Sequence, residues 1–168
     1  MLRNQAARLA GVLAVLAVAL LPGGGDAASQ PGQPRAQAVK LFFILDEGRG
    51  QHGKVVGCGD SVVPVLVKIA PTASPLKAAF SELLAAKGEF YCQTGLRNSL
   101  SQSSLKVEDV SIRNRVATVR LTGEYRDGGH CDTPRARAQL EETARQFPTV
   151  RRVRILVNGG ELRFNPTE

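Results

Sequence analysis

Apolar residues in this chain follow two rhythms, one of period two and one of period three to four, which alternate along the sequence. The period of two is clearest over residues 105–121. There Leu105 and Val107, then Val110 and Ile112, then Ala117, Val119 and Leu121 each take every second position, as strands with one buried face require. The Arg113-Asn114-Arg115 break divides this run into two strands folded back on each other, and Asn114 tolerates the left-handed backbone of a tight reversal. Between Val107 and Val110 the phase slips by one at Glu108-Asp109, which predicts a bulge.

The same reading extends outwards from this hairpin. Residues 39–45 form an apolar run too short for a helix and read as a central strand buried on both faces. Residues 46–59 are a glycine-rich loop, and residues 61–70 are a β-branched second strand in which Pro64 leaves a partner on one side only. A first helix is punctuated by Ser74 as N-cap, Pro75 at its first position and Gly88 just past its end, with Leu76, Ala79, Phe80, Leu83 and Leu84 on one stripe. Residues 89–104 lack periodicity and read as a polar loop with a short helical turn at 96–100. Residues 123–132 are another glycine-containing loop, placed to approach the one around Cys58.

The second helix repeats the logic of the first. Thr133 is its expected cap, Pro134 its first residue, and Ala136, Leu140, Thr143, Ala144 and Phe147 its buried row before Pro148 stops it. Arg137, Glu141 and Arg145 are spaced by four along its solvated side. Residues 152–157 alternate again, Asn158-Gly159 is a strong hairpin signal, and Leu162 and Phe164 lie on the returning strand. The expected fold class is therefore α+β in two layers: one mixed sheet with two helices on one face, in the order β-β-α-β-β-α-β-β.

Composition changes this picture chiefly at the N-terminus. Arg3 and Arg8 precede a 13-residue apolar run over residues 9–21, and small residues follow up to Ala27, the order of a secretory signal with cleavage near Ala27. The run is shorter than the ~20 residues needed to span a bilayer, so no stable membrane span is expected in the mature chain. No cysteine follows the run to carry a lipid, the first being Cys58. Residues 28–38 are polar and proline-rich and read as a tether, leaving 39–165 as a single domain. Losing Arg3, Arg8 and Asp26 with the signal leaves 20 basic against 14 acidic residues. This excess suits an anionic wall polymer or a cell-envelope protein as partner. With no Trp and two Tyr, base stacking has little to work with, so nucleic acid is not expected.

The residues also resemble a family. Leu41-Phe42-Phe43, Val62-Val63-Pro64-Val65, the helix over 76–84 and residues 116–122 (VATVRLT) are similar to a GerMN domain, the module of sporulation and germination proteins that also occurs in other bacterial cell-envelope proteins. The most specific part is the run of Gln139, Thr143, Phe147, Val150, Val153 and Ile155-Leu156-Val157-Asn158-Gly159. Arg120 departs from the family's usual Asp, and Lys87-Gly88 stands where a Gly-Pro often follows the helix. The resemblance covers most of residues 39–160. It implies a non-catalytic module, similar to the ring-building motifs of secretion-type assemblies, with no cofactor and a role linked to sporulation or germination.

Within that resemblance, Gly57-Cys58-Gly59-Asp60 and Cys131-Asp132-Thr133-Pro134-Arg135 look like a subgroup signature. Three cysteines in an exported chain suggest one disulfide and one spare thiol, and the sequence allows three pairings. Cys58 with Cys131 is the expected pair, since each lies in a glycine-rich loop beside a regular element, with Cys92 left over. Asp60, Asp132 and Arg135 form a possible surface site, although capping of helices or pairing with each other is the more ordinary use of such residues. A metal reading would need His52, His130 and the cysteines together, but neither CxxC nor HxxxH spacing occurs. The alternative function is a secreted hydrolase with Cys131 or Cys92 as thiolate and His130 or His52 as base, or one using a serine; no GxSxG, phosphate loop or HExxH motif accompanies it.

Overall fold

The computed structural model describes residues 36–164, so the expected signal segment and most of the tether lie outside the described residues. Strand β1 (Gln37–Leu45) begins two residues earlier than the sequence suggests. It is followed by β2 (Lys54–Val55), a short 3-10 turn at Gly57–Gly59, and β3 (Ser61–Ile69). Helix α1 (Pro75–Ala85) precedes the hairpin of β4 (Lys106–Arg113) and β5 (Val116–Thr122). Helix α2 (Asp132–Arg145), β6 (Arg152–Val157) and β7 (Gly160–Glu161) complete the described order.

The α+β class and the two helices are as expected, but the single sheet resolves into two. One sheet has the order β1-β3-β2 and the other β4-β5-β6-β7. The first is antiparallel; in the second, β5 and β6 run parallel and their neighbours antiparallel. The reason for the split lies at the outer edge of β1, whose polar backbone is satisfied by groups other than a strand. Gln146 receives the Lys40 amide at 2.7 Å and donates to the Lys40 carbonyl at 2.7 Å. Gln139 donates to the Phe42 carbonyl at 3.0 Å, and the Arg97 backbone pairs with both polar groups of Ile44 at 2.9 and 2.8 Å. An edge covered in this way cannot accept β4 as a neighbour.

β1 is consequently an edge strand and not the central one, with β3 between it and β2. Its burial alternates, Val39, Leu41 and Phe43 inward and Lys40 exposed, with Ile44 covered on its far side as well. The loop expected over 46–59 contains β2, which pairs only with Ser61 and Val62, so at Pro64 the one strand partner is Phe42 of β1. The helices join the two sheets: α1 packs on β1 and β4, α2 on β1 and β6. Their buried residues, among them Phe80, Leu83, Ala136 and Leu140, share one core with Leu41, Phe43, Val119 and Leu121.

The hairpin closes through Asn114 and Arg115, both at positive φ, as a two-residue reversal needs. The register shift between Val107 and Asp109 is the bulge that the phase slip predicts. At the far end Asn158 repeats the left-handed turn and clamps Gly123, accepting its amide proton at 3.1 Å and donating to its carbonyl at 2.8 Å. Gly123 sits at φ +102, and a Cβ there would run into the Ser104 carbonyl.

Two local expectations need correction. Thr133 does not cap α2, which starts at Asp132. The Gly129 carbonyl receives the Asp132 and Thr133 amides at 2.9 and 3.3 Å, while the Thr133 hydroxyl donates to Asp127 at 2.7 Å. The helical turn expected at 96–100 is absent; Arg97 instead forms bridges with Ile44 and Phe90, which draws the segment against β1.

Candidate functional site

The five residues singled out by sequence, Cys58, Asp60, Cys131, Asp132 and Arg135, converge at the start of α2. Cys58 occupies a left-handed position (φ 63) inside the 3-10 turn, and a disulfide joins it to Cys131 with 5.8 Å between their Cα atoms. The turn lies against the first turn of α2 so closely that a Cβ on Gly57 would strike the Pro134 ring.

Immediately after the turn, Asp60 points inward and is 1% exposed. It is therefore not the surface residue that the sequence suggests. Its carboxylate accepts the Glu47 amide proton at 2.9 Å and the Arg135 Nε proton at 2.7 Å. A buried carboxylate needs such partners, because desolvation without them costs several kcal/mol. Arg135 then spreads its remaining donors, Nη1 towards Asp132 at 3.4 Å and Nη2 towards Asp46 at 3.6 Å.

Asp46 carries the network onward. Its Oδ2 accepts Arg97 Nε at 2.8 Å and lies 2.7 Å from Nη2, its Oδ1 accepts Nε at 3.1 Å, and Arg97 Nη1 reaches Glu89 at 2.7 Å. The Arg97 guanidinium also lies 4.9 Å from the Phe90 ring centroid. Ser99 donates to Asp132 at 3.0 Å, and its amide donates to the Gln139 side chain at 2.8 Å. Gln139, wholly buried, also donates to Asn98 at 3.2 Å, so its amide ties α2, β1 and the 89–104 segment together.

The charges respond to this arrangement. Burial alone would draw the Arg135 pKa down, but the hydrogen bond and charge of Asp60, with Asp46 and Asp132, outweigh it and raise the value. The hydrogen bond to Asp46 likewise raises Arg97. Both guanidiniums are fixed as cations whose donors are taken up by carboxylates. Cys131 has its sulfur in the bridge and so offers no thiolate, while His52, His130 and Cys92 are all exposed. Among the described residues no group of three His, Cys, Asp or Glu side chains is placed to hold a metal ion. What the cluster can do is mechanical: it locks the end of β1, the disulfide-bonded turn and the N-terminus of α2 into one unit.

An open groove of about 580 Å³ lies apart from this cluster, between α2 and the β6–β7 end. Four of its five charged lining residues are paired, Arg137 with Glu141 at 2.8 Å and Arg154 with Glu161 at 3.4 Å, and Arg163 is the fifth.

Sequence reasoning missed Asp46, Glu89, Arg97 and Ser99. Asp46 ends an apolar run and the other three sit in an aperiodic segment, so no spacing rule connects them.

Residues 40–163 match the family model described as Germane: Sporulation and spore germination. No curated protein matches the chain. The first GerMN domain of the sporulation protein GerM from Bacillus subtilis superposes with a TM-score of 0.54 at 19% identity, covering 75% of this chain and 86% of that one. The tandem GerMN domains of the same protein give 0.53 at 15% identity, covering 80% of this chain and 43% of theirs. At such identities the likeness is one of fold.

Proposed function

Because the chain belongs to the Germane family of sporulation and spore germination, we propose that it acts as an exported, non-catalytic binding or assembly module of the bacterial cell envelope. The observation that carries this reading is the match across residues 40–163, almost the whole of the described domain. The segment order of residues 1–27 supports export, and the Cys58–Cys131 bridge suits an oxidising compartment. The polar cluster supports a scaffold, since its ionised groups satisfy one another. No helix among the described residues is long and apolar enough to cross a membrane. The partner we propose is an envelope protein or an anionic wall polymer, in keeping with the surplus of Arg and Lys.

Mass spectrometry of the N-terminus and fractionation of the producing cell test this reading. A mature start near Ala28 in the envelope or external fraction is expected, together with co-purification of envelope components. Hydrolysis of wall fragments or esters by the purified chain, abolished by His130→Ala or Cys92→Ser, would replace the module with an enzyme.

A further inference from the structure

Both helices pack on one side of the β4-β5-β6-β7 sheet, and neither packs on the other. The register shows what that open side presents. Arg113, Val116 and Arg152 lie in one row across β4, β5 and β6; Ser111, Thr118 and Arg154 form the next, and Asp109, Arg120 and Leu156 the third. Alternation places all of them opposite the buried Ala117, Val119 and Leu121. Arg113, Arg120, Arg152 and Arg154 are exposed, Ser111, Val116 and Thr118 sit half-buried among them, and Leu156 in the third row is buried.

Strand spacing sets the dimensions. Arg113 and Arg152 are two strands apart, about 10 Å, and Arg152 and Arg154 two residues apart, about 7 Å. The Arg115 carbonyl accepts the Arg151 and Arg152 amide protons at 2.8 and 3.1 Å, which pins the start of β6 to the hairpin and fixes the first row. Of the four guanidiniums only Arg154 has an ion-pair partner among the described residues, the exposed Glu161. Asp109 is opposite Arg120 in register, yet no ion pair joins them. Cations in this state contrast with Arg97 and Arg135, whose donors are occupied.

We propose that this face binds a phosphate-bearing polymer chain, its phosphodiester groups received by Arg113, Arg120, Arg152 and Arg154 with the Ser111 and Thr118 hydroxyls as further donors. The inference rests on the envelope reading above and names the surface and the chemistry. Guanidiniums with interleaved hydroxyls form the donor set that phosphate oxygens accept most readily. The face has no aromatic ring on which a base could stack, which sets nucleic acid aside. Its apolar residues, Val116 and Leu156, are half-buried and buried, so neither projects to insert between lipids, and the exposed large hydrophobic residues Val55, Leu66, Phe90 and Ile112 lie elsewhere or point to the opposite side. A flexible anionic chain lying across the rows is the occupant that fits the charge of this open face.

The test measures binding of the full chain to an immobilised glycerol-phosphate polymer over a series of salt concentrations. A polyglutamate arm and a phosphatidylglycerol vesicle arm run beside it. Arg113→Gln with Arg152→Gln is expected to weaken polymer binding roughly 10- to 30-fold, on the order of a fivefold loss per cation, and to flatten the salt dependence. Arg120→Gln with Arg154→Gln, an independent pair on the same face, should act similarly. Arg49→Gln with Lys68→Gln removes the same net charge elsewhere and should change binding less than about twofold. Equal loss in that control pair overturns the proposal, as does binding to polyglutamate or vesicles that matches or exceeds binding to the polymer. Absence of polymer binding by a chain that still fractionates with the envelope overturns the face alone; a chain absent from the envelope fraction overturns the reading beneath it.

Discussion

Arg135 Nε donates to Asp60 Oδ2 at 2.7 Å across 75 residues of sequence, and Asp60 is 1% exposed. This pair welds the disulfide-bonded turn to α2. Removing one partner of a buried pair strands the other, so Arg135→Met leaves the carboxylate with the Glu47 amide alone. A loss of about 3–5 kcal/mol is expected in denaturant unfolding. Asp60→Asn with Arg135→Met should lose less than the two single changes combined, and additive losses would show that the two residues are not coupled.

The disulfide closes a loop with a sequence separation of 73. On the chain-entropy account such closure stabilises by about 4 kcal/mol, a large share of a typical ~5–15 kcal/mol. Reduction should lower the melting temperature markedly, and Cys58→Ser and Cys131→Ser should do so to similar extents. Cys92, exposed and unbridged, should be the one titratable thiol, and Cys92→Ser should leave stability nearly unchanged. Thiol titration of the native protein that counted three groups would refute the pairing.

Much of the fold could be read from the sequence where periodicity and punctuation agree. The α1 stripe of Leu76, Ala79, Phe80, Leu83 and Leu84 is buried as the spacing requires, and the bulge at Glu108 follows from a slip of phase alone. The division into two sheets was not legible, because it depends on Gln139, Gln146 and Arg97 reaching over more than 50 residues to cover one strand edge. The same holds for the cluster. Asp60 and Arg135 stood out beside cysteines, whereas Asp46 and Arg97, which complete their hydrogen bonding, are ordinary polar residues in unpatterned segments. Periodicity reports which face is buried; it is silent about which polar groups meet there.

Gln139 offers a sharper test of how the 89–104 segment is held. Its side chain satisfies the Phe42 carbonyl and the Ser99 amide from within the core. Gln139→Met keeps the volume and removes both partners, so a destabilisation of about 2–4 kcal/mol is expected from two stranded backbone groups. Hydrogen exchange should then quicken most at Ser99 and its neighbours, ahead of β4 and β5. Unchanged protection of that segment would mean that the Arg97 bridges suffice to hold it.

Tyr125 makes stability depend on alkaline pH. Its hydroxyl is buried without a hydrogen bond of good geometry, and burial first, then the charges of Asp127 and Asp132, push its pKa up to about 12 from 10.0, against a smaller lowering by the neighbouring Thr133 hydroxyl. The folded chain therefore keeps this proton after the unfolded chain has released it. With more protons bound in the folded state, stability falls as pH rises. The Tyr125 contribution is complete below pH 10 and disappears progressively as pH climbs through 12. Tyr91 is also raised, chiefly by burial, so some decline persists in any Tyr125 variant. Tyr125→Phe should make the melting temperature fall less steeply in that window. At neutral pH it should leave stability unchanged or raise it by up to about 1 kcal/mol, since an unsatisfied buried hydroxyl is removed. Tyrosinate absorbance gives the direct check: the wild-type titration should lose its latest component in Tyr125→Phe, and a variant that lost an ordinary, early component would show that the hydroxyl is open to water.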